Sequence, residues 1–324
     1  KKCHSKDYRI MLAAVDLGSN SFRLHIATHD GQGIRILKTA REPIRLGAGL
    51  DSEGNLTPQA MQTALACLAR FGEILQATPL RAVRVVATNT IRIARNSKKF
   101  LPLAEKAIGY PIEIISGEEE GRLIYMGVAV HLENETERRL VVDIGGGTTG
   151  ITVIALAGIV CDQSIRIGGD EFTADIMESL RRYHSLLIGE RTAEQIKIHV
   201  GAAIKDLDNP PDDMPVNGRD LVTGIPKQIM VTYQEVAEAL DKSIFKIEEA
   251  ILKALETTPP ELAADIYRRG LYLTGGGSLL RGLDKRLSAK IKLPVHVADD
   301  PLKSVVRGTG IALKNYQRFP FIMR

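Results

Sequence analysis

The chain has 324 residues, 44% of them hydrophobic and 25% charged, with a formal net charge of +4. That is enough apolar material for two separate cores, so no disulfide or structural metal is needed to hold the fold. The charge is spread without a dense Lys/Arg block and aromatics make up only 5%, which argues against a nucleic-acid partner. Cys3, Cys67 and Cys161 are far apart and share no metal-ligand or C-x-x-C spacing, and the seven histidines are equally scattered; reduced thiols in a cytoplasmic protein are expected. The first apolar run reaches Asp16 within about half a dozen residues, too short for the core of a signal sequence, and no later run approaches a membrane-spanning length. A membrane partner is not expected.

In chain order, IMLAAVDL (10–17) and LHIATHD (24–30) flank a GSNSF turn and read as a hairpin. Thr57 is placed as an N-cap with Pro58 at the first helical position, and Met61, Leu65, Leu68, Gly72 and Leu75 follow as a core-facing stripe. AVRVVAT (82–88) and PIEIIS (111–116) read as buried strands, and the helix beginning at EEEGRLIYMGVAV turns Leu123, Ile124 and Met126 inward. The polar run ENETERR (133–139) marks a boundary. Beyond it, LVVDIGGGTTGITVIALAGIVCDQSI reads as strand, glycine turn, strand, Ala-Gly turn and strand, followed by helices at 171–184 and 192–204. Asn217-Gly218 inside MPVNGRDLV is the strongest local hairpin signal. A long helix is broken at Pro259 and Pro260 and ends at Gly270, which suits a left-handed cap. A buried strand, LYLT, then enters a third glycine turn and a basic helix. The expected domains are 8–137, with a closing helix at 301–317 packing back on it, and 138–300, with a small subdomain near 185–240. Glycine turns after two acid-bearing strands, and a third after LYLT, point to an internal duplication.

Glycines directly after a strand let backbone N–H groups approach an anion closely, and neighbouring hydroxyl or amide groups add donors. Gly18 with Ser19, Asn20 and Ser21, and Gly145, Gly146 and Gly147 with Thr148 and Thr149, are therefore candidate phosphate loops. Asp16 and Asp143 sit beside these turns. A carboxylate there repels phosphate directly but can hold a hydrated Mg²⁺ that bridges to it. Three acids open the helix at 118–130. Ser116 and Glu119 have capping-box spacing, and acids in a first turn suit the helix dipole. Glu120, one position further round, can orient or deprotonate a water for attack on a terminal phosphoryl group. Arg92 reads either as an exposed helical arginine or as a phosphate clamp.

These motifs carry a divided resemblance. AAVDLGSNSFRLHIA, VVATNTIRIARN and PIEIISGEEEGRLIYMGV, within residues 10–140, resemble domain I of the exopolyphosphatase and guanosine pentaphosphate phosphohydrolase (Ppx/GppA) family. LVVDIGGGTTGITVIALAGIVCDQSIRIGGDEF, LIGERTAEQIK, TTPPELAADIYRRGLYLTGGGSLLRGLD and VADDPLKSVVRGTGIAL, within 140–317, resemble the second half of the MreB family of bacterial actins. The whole looks like a hybrid, a chimera joined near the second phosphate loop. Both families belong to the actin, sugar kinase and heat-shock chaperone superfamily. The fold class so implied is α/β, with two actin-like, ribonuclease H-like domains and a nucleotide or phosphate cleft between them.

From the phosphatase side, the resemblance implies that Glu120 activates water and Arg92 contacts substrate, with Asp16, Ser19, Asn20 and Ser21 in the first phosphate loop. From the actin side, it implies that Gly145 to Thr149 form the second loop, Glu194 to Lys197 meet the nucleoside, and Gly275, Gly276, Gly277 and Ser278 lead the adenosine loop. Both families usually place an acid after the two hydroxyls of the second loop, where this chain has Gly150. The expected function is a Mg²⁺-dependent, ATP-binding phosphohydrolase that cleaves a terminal phosphoanhydride with the help of Glu120. The alternatives are an exopolyphosphatase acting on polyphosphate or a guanosine pentaphosphate, and a self-associating filament subunit in cell-shape control.

Overall fold

The computed structural model describes residues 10–29, 34–129, 139–155 and 158–314. Most of the ENETERR segment and Ala157 of the expected Ala-Gly turn lie outside the described residues. The chain divides into two compact units, Lys1–Glu133 with Lys303–Arg324, and Asn134–Leu302.

In the first unit, β1 (Ile10–Leu17), β2 (Ser21–His29) and β3 (Ile34–Pro43) form an antiparallel meander. Strands β4 (Ala82–Ala87) and β5 (Ile112–Ile114) add in parallel on the other side of β1, giving the order β3-β2-β1-β4-β5. The period-2 alternation sends Val15, Leu17, Phe22, Leu24, Val85 and Ala87 to one face. There they pack under α1 (Pro58–Gln76) and α3 (Ser97–Ile108), which follows the short α2 (Asn89–Ile93). Thr57 caps α1 as expected, its hydroxyl accepting the Ala60 N–H at 3.3 Å. The buried face runs through Ala64, Cys67, Leu68, Phe71, Gly72 and Leu75, so Met61 and Leu65 flank it rather than lead it.

The opposite face of this sheet lies under α4 (Gly117–Ala129) and α10 (Ser304–Lys314). Val86, Ile115, Leu123 and Ala312 form a small apolar core there. The two helices meet backbone to backbone. A Cβ on Gly308 would lie 1.7 Å from the Leu123 carbonyl oxygen, and one on Gly127 2.0 Å from that of Ser304. Only glycine permits this crossing.

The second unit repeats the plan. β6 (Arg139–Ile144), β7 (Thr149–Ala155) and β8 (Gly158–Ile165) form the meander, and β12 (Leu271–Thr274) and β13 (Val295–Val297) add in parallel beside β6. The order β13-β12-β6-β7-β8 is that of the first unit read in reverse, as the internal duplication requires. Helices α5 (Gly169–His184), α6 (Glu190–Val200), α7 (Tyr233–Glu256), α8 (Pro260–Arg269) and α9 (Leu283–Ile291) complete it, with a three-stranded sheet of β9 (Leu186–Leu187), β10 (Met214–Asp220) and β11 (Pro226–Val231).

Two local expectations fail here. Asn217-Gly218 is not a turn but mid-strand in β10, paired with Gln228 and Lys227. Gly218 is there because a Cβ would lie 2.7 Å from the Leu187 carbonyl oxygen on β9. The turn falls at 220–225 instead, where Asp220 Oδ1 accepts the N–H groups of Val222 and Thr223 at 2.8 and 2.9 Å. Gly270 has the expected positive φ of 76°, but its ψ of −161° is not left-handed helical. The residue does end the helix, its N–H bonding to the Ile266 carbonyl at 2.7 Å, and its lack of a side chain also makes room for the Pro294 carbonyl. Among the described residues, no helix is long and apolar enough to cross a membrane.

Candidate functional site

In the first unit, the β1–β2 pairing closes at Leu17 and Phe22, leaving Gly18 to Asn20, with Ser21 opening β2, as the turn. Its carbonyls are tied backward. The Asn20 oxygen accepts the N–H groups of Ile44 and Arg45 at 3.0 and 2.8 Å, and the Ser19 oxygen accepts that of Gly47 at 3.0 Å. Thr90, which sequence reasoning missed, donates its hydroxyl to Ser19 Oγ at 2.7 Å. Ser21 Oγ accepts from Arg23 Nε at 3.3 Å. Asp16, buried near the end of β1, stands directly before this turn.

Glu120 lies in the first turn of α4, and the structure brings Arg92 to it. Arg92 Nη1 is 3.4 Å from Glu120 Oε2 and donates to the Ile115 carbonyl at 2.7 Å, while Nη2 reaches Asn89 Oδ1 at 3.5 Å. The arginine thus ties α2 to the β5–α4 link. Half of the expected capping box forms, Ser116 Oγ accepting the Glu119 N–H at 3.1 Å. The Glu119 carboxylate turns instead to Arg122, at 2.5 Å, and Arg84, at 3.5 Å.

In the second unit, the loop after β6 is anchored to the start of α5. The N–H groups of Gly169 and Asp170 bond to the carbonyls of Gly145 and Gly146 at 2.9 and 2.7 Å, and the Gly145 N–H bonds to the Thr148 carbonyl at 2.9 Å. These carbonyls, which would repel a phosphate, are turned into the protein. Gly168 makes the approach possible, since a Cβ there would lie 2.6 Å from the Gly146 oxygen. Thr149 departs from the role expected of it. Fully buried, it donates its hydroxyl to the Ile167 carbonyl at 2.7 Å, so it braces the loop from beneath.

The other two segments converge on the same loop. Lys197 Nζ donates to the Gly169 carbonyl at 2.7 Å, Thr173 Oγ1 at 3.0 Å and Glu194 Oε2 at 2.6 Å, which joins α6 to the loop-bearing end of α5. Parallel pairing of Thr274 with Asp143 sets the third glycine turn beside the second. A Cβ on Gly275 would lie 2.4 Å from the Ile144 oxygen and 2.5 Å from Asp143 Oδ1, and one on Gly277 2.2 Å from Ile144 Cγ2. Ser278, like Thr149, points inward and donates to the Gly275 carbonyl at 2.7 Å. Asp143 pairs across β7 with Gly150, around whose Cβ position nothing lies within 4 Å.

Asp16 and Asp143 fit a hydrated Mg²⁺ in donor chemistry, as hard oxygen ligands each next to a glycine turn. Among the described residues, no group of three or more His, Cys, Asp or Glu side chains could hold a metal. An ion at either carboxylate would therefore keep most of its waters.

A meander with parallel additions, built twice and with a glycine turn after each first strand, defines the actin-like two-domain α/β fold. Residues 103–320 match the sequence model of the MreB/Mbl protein family, and the chain belongs to that family. It is 43% identical over 217 residues to the cell shape-determining protein Mbl of Bacillus subtilis, an alignment covering 67% of this chain and 63% of that protein. The chain thus spans somewhat less than two thirds of this relative. Among solved structures, MreB5 of Spiroplasma citri bound to ADP superposes with a TM-score of 0.75 at 25% identity, covering 95% of this chain and 98% of that one. A Ppx/GppA family protein of Aquifex aeolicus shares the fold alone, with a TM-score of 0.54 at 20% identity and coverage of 94% and 99%. The MreB/Mbl match starts at residue 103, inside the first unit, and not near 140 where the resemblance changes partner. Glu120 and all of α4 fall within it.

Proposed function

We propose that this chain is an ATP-binding, Mg²⁺-dependent ATPase that self-associates as a cytoplasmic filament subunit in cell-shape control. The observation that carries this reading is the convergence on Asp143. The third glycine turn packs there against Asp143 and Ile144 so closely that no Cβ fits at Gly275 or Gly277, and the Glu194–Lys197 segment joins the second turn through Gly169. Such a wall of backbone suits a nucleotide, with N–H groups for its phosphates and a flat glycine surface for its base. Gly145 to Thr148 take the phosphates, and Gly275 to Gly277 with Glu194 and Lys197 take the nucleoside. Thr149 and Ser278 hold these loops in shape.

Bound Mg²⁺ would neutralise charge that builds on the phosphate oxygens during transfer. The chain's own contribution to the chemistry is Glu120, which orients the attacking water and accepts its proton on a carboxylate oxygen. Arg92 holds that carboxylate in place rather than clamping substrate. Relatives named as cell shape-determining proteins support the cell-shape role, and MamK, which shares the fold, is solved as a double helical filament, which supports self-association. A test of this reading compares titration calorimetry with Mg-ATP, phosphate release, and sedimentation with and without ATP. Glu120→Gln should keep ATP affinity and lose phosphate release by roughly 10²–10⁴-fold. Unchanged release in that variant would remove the assignment.

A second reading, exopolyphosphatase, is favoured by the Ppx/GppA-like motifs of residues 10–140 and by the shared fold. Under it the chain is a hybrid whose first unit dictates the substrate. Polyphosphate binding without ATP binding in the same calorimeter would select it.

A further inference from the structure

We infer that Arg84 is a positioning residue for Glu120, acting through Glu119; this rests on the proposed role of Glu120 in phosphoanhydride hydrolysis. Arg84 is an arginine in the middle of an apolar strand, 4% exposed, on the face of the first sheet that lies under α4 and α10. It lies on the same sheet face as Val86, two residues on, which belongs to the apolar cluster with Ile115 and Leu123, and an aliphatic side chain there would carry no desolvation cost. Burying a guanidinium costs several kcal/mol before its partners repay it, so a charge in this seam is poor material for stability alone.

Its partners show what it holds. Arg84 donates from Nε to Glu113 Oε1 and Oε2 at 3.3 and 3.1 Å, and from Nη2 to Oε2 at 2.8 Å, a fork locked onto β5. The same Nη2 lies 3.5 Å from Glu119 Oε1 in the first turn of α4. Glu119 is fixed from the helix side by Arg122, one turn on, at 2.5 Å. Arg84 Nη1 and Glu119 Oε1 are both buried without a hydrogen bond of their own, so the approach of Arg84 Nη2 offsets part of the cost of burying that carboxylate oxygen. The residue after Glu119 is Glu120, held on its other side by Arg92, whose second anchor is the Ile115 carbonyl. Two arginines thus grip residues 113, 115, 119 and 120 from either side of the β5–α4 junction. A helix start so pinned has little freedom to rotate, and a general base misplaced by about 1 Å loses on the order of 10²-fold in rate.

The experiment measures ATP affinity by calorimetry and steady-state phosphate release for wild type, Arg84→Met, Arg84→Lys, Glu119→Gln and Glu120→Gln, below the melting temperature of each. Arg84→Met and Glu119→Gln should each lower kcat by roughly tenfold or more with ATP affinity kept. The double variant should be no slower than the worse single one, because the two act as one unit. Arg84→Lys should recover part of the rate. A purely structural role would lower binding and turnover together, in step with the folded fraction, and would show no such coupling. If Arg84→Met fails to fold, Glu119→Gln decides, since Glu119 is only partly buried and its amide keeps the shape. Wild-type rates in Arg84→Met and Glu119→Gln beside a dead Glu120→Gln would overturn this inference and leave the ATPase standing. A fully active Glu120→Gln would overturn the reading on which it rests.

Discussion

At the scale of single residues, Gly150 stands where the resemblance implies an acid, and the structure gives that position a testable consequence. It faces Asp143 across the β6–β7 pair with open space where a side chain would stand. Gly150→Asp therefore fits without strain and adds a second hard oxygen donor beside the first. The expected outcome is a fall of about threefold or more in the Mg²⁺ concentration for half-maximal phosphate release, read by titrating Mg²⁺ at fixed ATP. Legibility at this scale was uneven. The glycine turns after β1 and β6, with Asp16 and Asp143 beside them, were legible as local features because strand, turn and acid fall within a few residues of each other. Thr149 and Ser278 share that spacing, yet both hydroxyls are spent on carbonyls inside the fold. Sequence spacing alone cannot distinguish a hydroxyl that faces a ligand from one that braces the loop. Arg84 leaves one signal in the sequence, a charge inside the apolar run AVRVVA.

At the scale of elements, local physics was read well and close packing was not. The first hairpin, the Thr57 cap and the break at Pro259 and Pro260 follow from turn, cap and proline chemistry that acts within a few residues. Strand β3 went unread because it is an edge strand whose Arg35, Leu37, Lys38 and Arg41 stand exposed, hiding any clean alternation. Gly218 was misread as turn chemistry because its reason for being glycine lies on another strand. The real turn carries a pH dependence. Hydrogen bonds from the N–H groups of Thr223 and Val222, then Lys227, hold the Asp220 carboxyl at about 2, below its ordinary 3.8. A depressed pKa contributes stability that is present above pH 3.8 and lost as pH falls through 2. Protection of the Val222 and Thr223 amides, relative to the intrinsic exchange rate at each pH, should therefore fall between these limits, and Asp220→Asn should show lower protection already at neutral pH.

At the scale of the whole molecule, the repeated strand order shows one plan used twice, and the two copies have diverged in what they carry. The second unit holds the paired glycine turns and the lysine behind them, and the first holds Glu120 and its arginines. The first unit is also the one whose integrity depends on a helix from far along the chain. Gly308→Ala would drive a methyl group into the Leu123 carbonyl and force α4 and α10 apart. Overpacking of this kind typically costs about 1–3 kcal/mol. Scanning calorimetry should show a lower melting temperature for the transition that includes the first unit, with that of the second unit unmoved.

The same helix sets an order of events at the ribosome. Chain synthesis passes through residues 1–133, leaves the first unit for all of Asn134–Leu302, and returns to it only at Lys303. Domains generally fold as units while the chain emerges. The contiguous second unit can thus close as soon as its own last strand is out. The first unit, though made earlier, must wait with the inner face of α4 bare until the helix bearing Gly308 arrives. The first unit is the last to finish folding, and until it does its apolar seam is open to whatever nascent-chain chaperone stands nearby.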